Sequence, residues 1–315
     1  LLFGGLLVVL LGFMTGIRSL VVFGAVGEGV GAACVVGEFA NLLRRRKEPG
    51  KGSDPAMLAA LGSTALALPL AYVTQLLSAL RMSLSSVQLS YMLAFYGVLV
   101  PVALAMSSRL FPLYFRTRLP ERRTLAAAIV VSVVGLYLRL AGDASAWHGG
   151  VRLGCALQAA GIVGAIAALR MLAPREKRPA AARVLWRDPT AWLVHIAYAS
   201  LAADAVALVA TVWSGQEPSP SLEWHLVGVG YVTCLIAGVG THLLPGFARR
   251  RPRSQHAGWV LLGLLAGALL LRLWAVVEHG WGAALSGTSA GILGVAAMAV
   301  FAWNVGLGSL RHPTK

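Results

Sequence analysis

Hydrophobic positions in this chain fall into ten blocks of roughly helix-spanning length, separated by short polar interruptions. The blocks lie at about 1–17, 20–43, 57–81, 84–107, 123–142, 150–173, 190–214, 223–246, 256–277 and 284–308. About 20 apolar residues at 1.5 Å per residue cross a hydrocarbon core, and only helices and closed barrels satisfy their backbone there. The pattern therefore predicts an all-α, polytopic integral membrane bundle in contact with the lipid bilayer. Composition agrees: 57% of the 315 residues are hydrophobic and 12% are charged, with a mean hydropathy of +0.74.

The net charge of +15 changes the picture only through its distribution. Lys and Arg concentrate in loops 44–55, 109–123, 170–187 and 249–253 and in the tail Arg311–Lys315, while the alternate loops hold almost none. That is the positive-inside pattern, which places the basic loops and the C-terminus in the cytoplasm of a prokaryotic inner membrane. It speaks against a nucleic-acid partner. Cys34, Cys155 and Cys234 stand singly in apolar segments, which suggests neither a disulfide framework nor a zinc site. The chain opens Leu-Leu-Phe without Met or a signal-peptide layout, so its N-terminus is expected to be missing.

The sequence also repeats. Ser108-Arg109-Leu110-Phe111-Pro112 returns 133 residues later as Thr241-His242-Leu243-Leu244-Pro245, and Leu138-Arg139-Leu140 returns at the same offset as Leu271-Arg272-Leu273. Asp54-Pro55 precedes the third block just as Asp188-Pro189 precedes the seventh. The expected organisation is 1–43 as the second half of a first four-helix unit, 57–173 as a second unit and 190–308 as a third. Twelve helices would complete it. An even helix number per unit keeps the repeats parallel, unlike inverted-repeat transporters.

The stretch Trp224–Arg253 combines a histidine near each end of its helix (His225 and His242), many small residues (Gly228, Gly230, Ala237, Gly238, Gly240) and a closing basic loop. Small residues let a neighbouring helix or a flat cofactor approach closely. His225, then Gly230, then Ala237-Gly238-Val239-Gly240-Thr241 and Gly246 before a basic loop resemble the second-half motif of the NnrS family. The resemblance implies a twelve-helix membrane protein holding haem and copper, linked to the response to nitric oxide. Two positions depart from that motif: His242 stands where Arg is usual, and Phe247 replaces a further His.

Taken by themselves, His225 and His242 are about 25 Å apart on a continuous helix and cannot share a metal. His225 has possible companions in His148 and His279, and His242 in His195 and His256. Neutral imidazole suits haem iron or copper, so either group is a candidate metal or cofactor site. The competing reading is hydrogen bonding of interfacial histidines to headgroups and water. Arg139 and Arg272, with Arg18 at the equivalent place, either clamp anionic groups such as haem propionates or snorkel to the interface. Asp204, in the middle of its block, is the most costly residue in the chain. It belongs either to a proton or ion path or to a buried, protonated structural contact with Gln158, Tyr198 or Asn304. No P-loop, nucleophile elbow or dinucleotide fingerprint is present. A secondary transporter or permease built on Asp204 is the alternative to a haem- and copper-binding protein that takes nitric oxide or another small ligand.

Overall fold

The computed structural model describes residues 8–306 except 10, 13–14, 46–53, 82–83, 116, 172, 174–186, 217–218, 248–251 and 279–280. The described residues form nine long helices. They are α1 (Arg18–Arg45), α2 (Pro55–Arg81), α3 (Leu84–Met92, continuing through Leu93–Leu99 and Val100–Tyr114), α4 (Arg122–Ala144) and α5 (His148–Leu169). Then follow α6 (Pro189–Ser214), α7 (Pro220–Glu223, continuing through Trp224–Thr233 and Cys234–Phe247), α8 (Gln255–Val277) and α9 (Trp281–Val305). Eight of these, α2 to α9, are long and apolar enough to cross a membrane. The first hydrophobic block lies mostly outside the described residues.

Why the helices begin where they do is legible locally. Asp188 caps α6 by accepting from the Thr190 amide at 2.9 Å, with Pro189 at the first helical position. Its echo Asp54 accepts from the Ala56 amide at 3.2 Å ahead of Pro55. A capping carboxylate followed by Pro meets two needs of a helix start: an acceptor for orphan amides and a residue that needs no donor.

α3 and α7 share a less common feature. Each contains a π-helical stretch, Leu93–Leu99 and Trp224–Thr233. At the repeat offset the first maps inside the second, with Gly97 opposite Gly230. In the second, the Thr233 hydroxyl donates to the Gly228 carbonyl five residues back, at 2.8 Å, which matches the wider register.

By its contacts the chain divides into two compact units, Leu1–Val102 and Ala103–Lys315, with α3 running through the boundary. In the first, α1 meets α2 where the Tyr72 ring lies on Gly29, and the Gln75 amide donates to the Glu28 carboxylate. The Ser63 hydroxyl donates to the Gly97 carbonyl at 2.5 Å, tying α2 to the π-helical stretch of α3.

In the second unit α4 and α5 touch backbone to backbone. A Cβ on Gly154 would stand 2.4 Å from the Arg139 amide nitrogen, and one on Gly161 would stand 2.4 Å from that of Ser132. Such contact needs small residues, and it is how helices associate where hydrophobicity gives no drive between them. α6 is buried along one face through Leu193, Ala197, Leu201, Asp204 and Leu208, and it packs against α5, α7 and α8. α8 and α9 keep much of their apolar surface outward (Leu270, Val277, Leu285, Ile292 and Val295), as lipid-facing helices do. Exposed tryptophans mark both ends, Trp213 and Trp281 at one and Trp259 and Trp303 at the other, the placement of interfacial aromatic belts.

Candidate functional site

Three polar constellations lie within the second unit. The first is at the end of the unit where α6 starts. Thr190 donates its hydroxyl proton to Asp188 at 2.6 Å, so its oxygen accepts from His242 Nε2–H at 2.7 Å. The second Asp188 oxygen lies 3.7 Å from the same nitrogen. The Tyr114 ring stacks on the imidazole at 5.7 Å and Phe115 meets it edge-on at 6.0 Å. Burial alone pushes the Asp188 carboxyl up, but hydrogen bonds from His242 and Thr190, with the His242 charge, outweigh it and hold the group below the ordinary carboxylate range.

The expected grouping of His242 with His195 and His256 does not form. His195 turns Nδ1 onto the Ala191 carbonyl at 2.6 Å and packs against Trp192, and His256 is exposed. Among the described residues no three metal-ligating side chains gather anywhere. His242 is instead a tie between α6 and α7. Its position was readable in the sequence; its partners Asp188 and Thr190 were visible only as a helix cap.

The second constellation sits where α4 ends and α7 begins. Arg139 donates to both oxygens of Glu223, Nη1 to Oε2 at 2.9 Å and Nη2 to Oε1 at 2.7 Å. The expectation that Arg139 either snorkels or clamps a propionate is thus corrected: its fork is taken up by a buried protein carboxylate. Glu223 was missed as a partner. A lone acid in the first turn of an apolar block, facing the arginine-bearing end of another block, was the available signal. Asp204 is fully buried, and the Cys155 thiol lies within electrostatic reach of Arg139, Glu223 and Asp204 together. Asn304 is not a partner for Asp204. It receives the Arg253 and Ser254 amides at 3.1 and 3.0 Å and so pins the loop before α8.

The third is a cleft of about 330 Å³ between α7, α8 and α9, lined by Val229, Thr233, Ala237, Arg272, Gly291 and Gly294 among others. That volume is in the range of small-molecule sites. Its walls are apolar apart from Thr233 and Arg272, and the Arg272 guanidinium stands over Gly287 and Gly291. His225 lies one turn before Val229 and within electrostatic reach of Arg272. Its Nδ1 is 2.5 Å from the Ser221 carbonyl, which only accepts, so Nδ1 carries the proton and the neutral ring keeps its lone pair on Nε2. The proposed companion His148 is exposed at the start of α5, and His279 and His312 lie outside the described residues. The remaining repeat arginine, Arg18, is exposed at the start of α1.

The small residues of α7 divide between packing and cleft. A Cβ on Gly230 would meet Ser200 at 2.5 Å, and one on Gly238 would meet the Thr190 carbonyl at 2.9 Å, so both admit α6 rather than a cofactor. Ala237 lines the cleft. The glycines that leave open wall are on α9: nothing lies within 4 Å of a Cβ on Gly294.

The family model described as NnrS protein matches residues 1–310. The chain belongs to the NnrS family. Membership suggests a membrane protein of the nitric oxide response, consistent with the apolar helices described above. A search of curated proteins finds no match.

Proposed function

We propose that this NnrS-family chain binds haem in the cleft between α7, α8 and α9, and through it handles nitric oxide or a related small ligand. The observation that carries the reading is His225: its proton is fixed on Nδ1 by Ser221, leaving Nε2 as a ligand nitrogen one turn from the cleft lining. An imidazole held by a carbonyl on its other nitrogen is the usual arrangement of a metal-ligating histidine. The residues present fit the group. Arg272 supplies a guanidinium suited to a propionate, and Gly291 and Gly294 leave a wall without side chains. Haem iron held by one imidazole supplies a position for a diatomic ligand. The protein's own share is to orient His225, neutralise an anionic edge through Arg272 and keep the surroundings apolar.

Copper is a different case. No described cluster offers three ligands, and His242 has its Nε2 committed to Thr190. We assign no residue to copper.

The three-unit organisation (1–43, 57–173 and 190–308) and the orientation with basic loops in the cytoplasm belong to the same proposal. The paired π-helical stretches and the paired Asp-Pro caps support the repeat. Charge distribution supports the orientation.

The test is an optical spectrum of the purified protein, oxidised and dithionite-reduced, followed by nitric oxide titration. A Soret band that shifts on reduction and disappears in His225→Ala, but survives in His242→Ala, supports the assignment. A flat visible spectrum from folded protein without bound iron overturns it.

A further inference from the structure

We propose that Asp204 is an exchangeable proton-carrying site inside the membrane domain, served by water held at Gln158. The argument starts from charge. Asp204, Arg139 and Glu223 are all buried, at 0%, 5% and 3% exposure, and the thiol of Cys155 senses all three. One guanidinium therefore faces two carboxylates. A net negative charge in a lipid-embedded interior is strongly disfavoured, and a single proton removes it. Glu223 has both oxygens in the arginine fork, so the proton resides on Asp204.

The elements packed against Asp204 supply no second cation. α4 brings Arg139, α5 brings Cys155, and α7 brings Glu223 and Tyr231. α6 itself adds Tyr198, whose ring meets Tyr231 edge-on at 5.3 Å. α8 buries Leu261, Leu265 and Leu269, none of them charged.

An independent observation points to water. Gln158 is fully buried on α5, yet neither its amide nitrogen nor its oxygen has a hydrogen-bond partner. It stands one turn from Cys155, on the buried face of the helix. A buried primary amide with all its hydrogen-bonding capacity unused is where ordered water is expected. Water there gives Asp204 a relay for proton exchange, which a sealed structural acid lacks. The proposal stands whether or not haem occupies the cleft.

Infrared spectroscopy of the full chain in lipid nanodiscs tests it. At neutral pH the wild type is expected to show the carbonyl stretch of a protonated carboxylic acid. The band shifts in D2O buffer within minutes, is missing in Asp204→Asn and returns displaced in Asp204→Glu. Gln158→Leu leaves the band in place and slows the D2O shift by about tenfold. Should Asp204→Asn fail to fold, the displaced band in Asp204→Glu still assigns the signal. A spectrum without a protonated-acid band, or a band that fails to shift in D2O, overturns the proposal. So does unchanged exchange in Gln158→Leu.

Discussion

Arg139 and Glu223, 84 residues apart in the chain, meet as a two-pronged ion pair with 6% and 4% of their side-chain surfaces exposed. A pair this buried repays the cost of leaving water only while both members are present. Removing one strands a charge among apolar side chains. Arg139→Met and Glu223→Leu singly should each destabilise the fold by about 3–5 kcal/mol, whereas the double variant should be close to neutral. Thermal unfolding in detergent, arranged as a double-mutant cycle, measures the coupling directly. Additive losses would mean that the pair contributes no coupling.

The α4–α5 contact makes a sharper prediction, because its geometry leaves no room for compromise. Gly154→Ala puts a methyl 2.4 Å from the Arg139 backbone nitrogen, so one helix must move. The expected loss is about 1–3 kcal/mol, against a gain of up to about 1 kcal/mol for Gly263→Ala, where nothing lies within 4 Å. Opposite signs for the same chemical change at two helical glycines, read as shifts in unfolding temperature, would establish which glycines are packing surfaces.

Those two glycines also show how far the sequence could be read. Hydropathy located the helices, since a membrane span is set by length and composition alone. The observed α6 (Pro189–Ser214) differs from the expected 190–214 block by one residue. Asp188 and Asp54 were readable as a repeated motif because a helix cap is a local event. Which glycine admits a helix and which leaves open wall is not local. Gly230 and Gly294 look alike in sequence, yet one meets Ser200 and the other meets nothing. For the same reason Arg139 and Arg272 occupy equivalent repeat positions but differ in role, one bound to Glu223 and the other lining a cleft. Tertiary neighbours decide these matters, and no periodicity encodes them.

The Asp188–Thr190–His242 tie predicts a dependence on acid pH. The folded carboxyl is held below its ordinary value, so its contribution is present above the unfolded value and is lost as pH falls through the folded one. Stability should therefore fall with decreasing pH below about 4. Asp188→Asn should flatten part of that slope while lowering stability at neutral pH. The effect is tempered by water, since the Asp188 side chain remains 30% exposed. Unfolding temperatures of both proteins across the acid range check the sign, and parallel curves would remove Asp188 from the account.

The cleft can be challenged without touching any ligand. Gly294 has open space around a notional Cβ and Gly291 faces the Arg272 guanidinium, so large side chains there enter the cleft before they meet backbone. Gly294→Phe should therefore preserve the fold while lowering haem content severalfold. Arg272→Leu should keep the cleft open but remove the charge that holds an anionic edge, weakening haem retention by about tenfold if one charge-assisted contact is lost. Haem-to-protein ratios after gel filtration, with circular dichroism to confirm helix content, separate the two effects. If Gly294→Phe retains full haem, the cofactor does not enter between α7 and α9, and His225 must serve it from another side of α7.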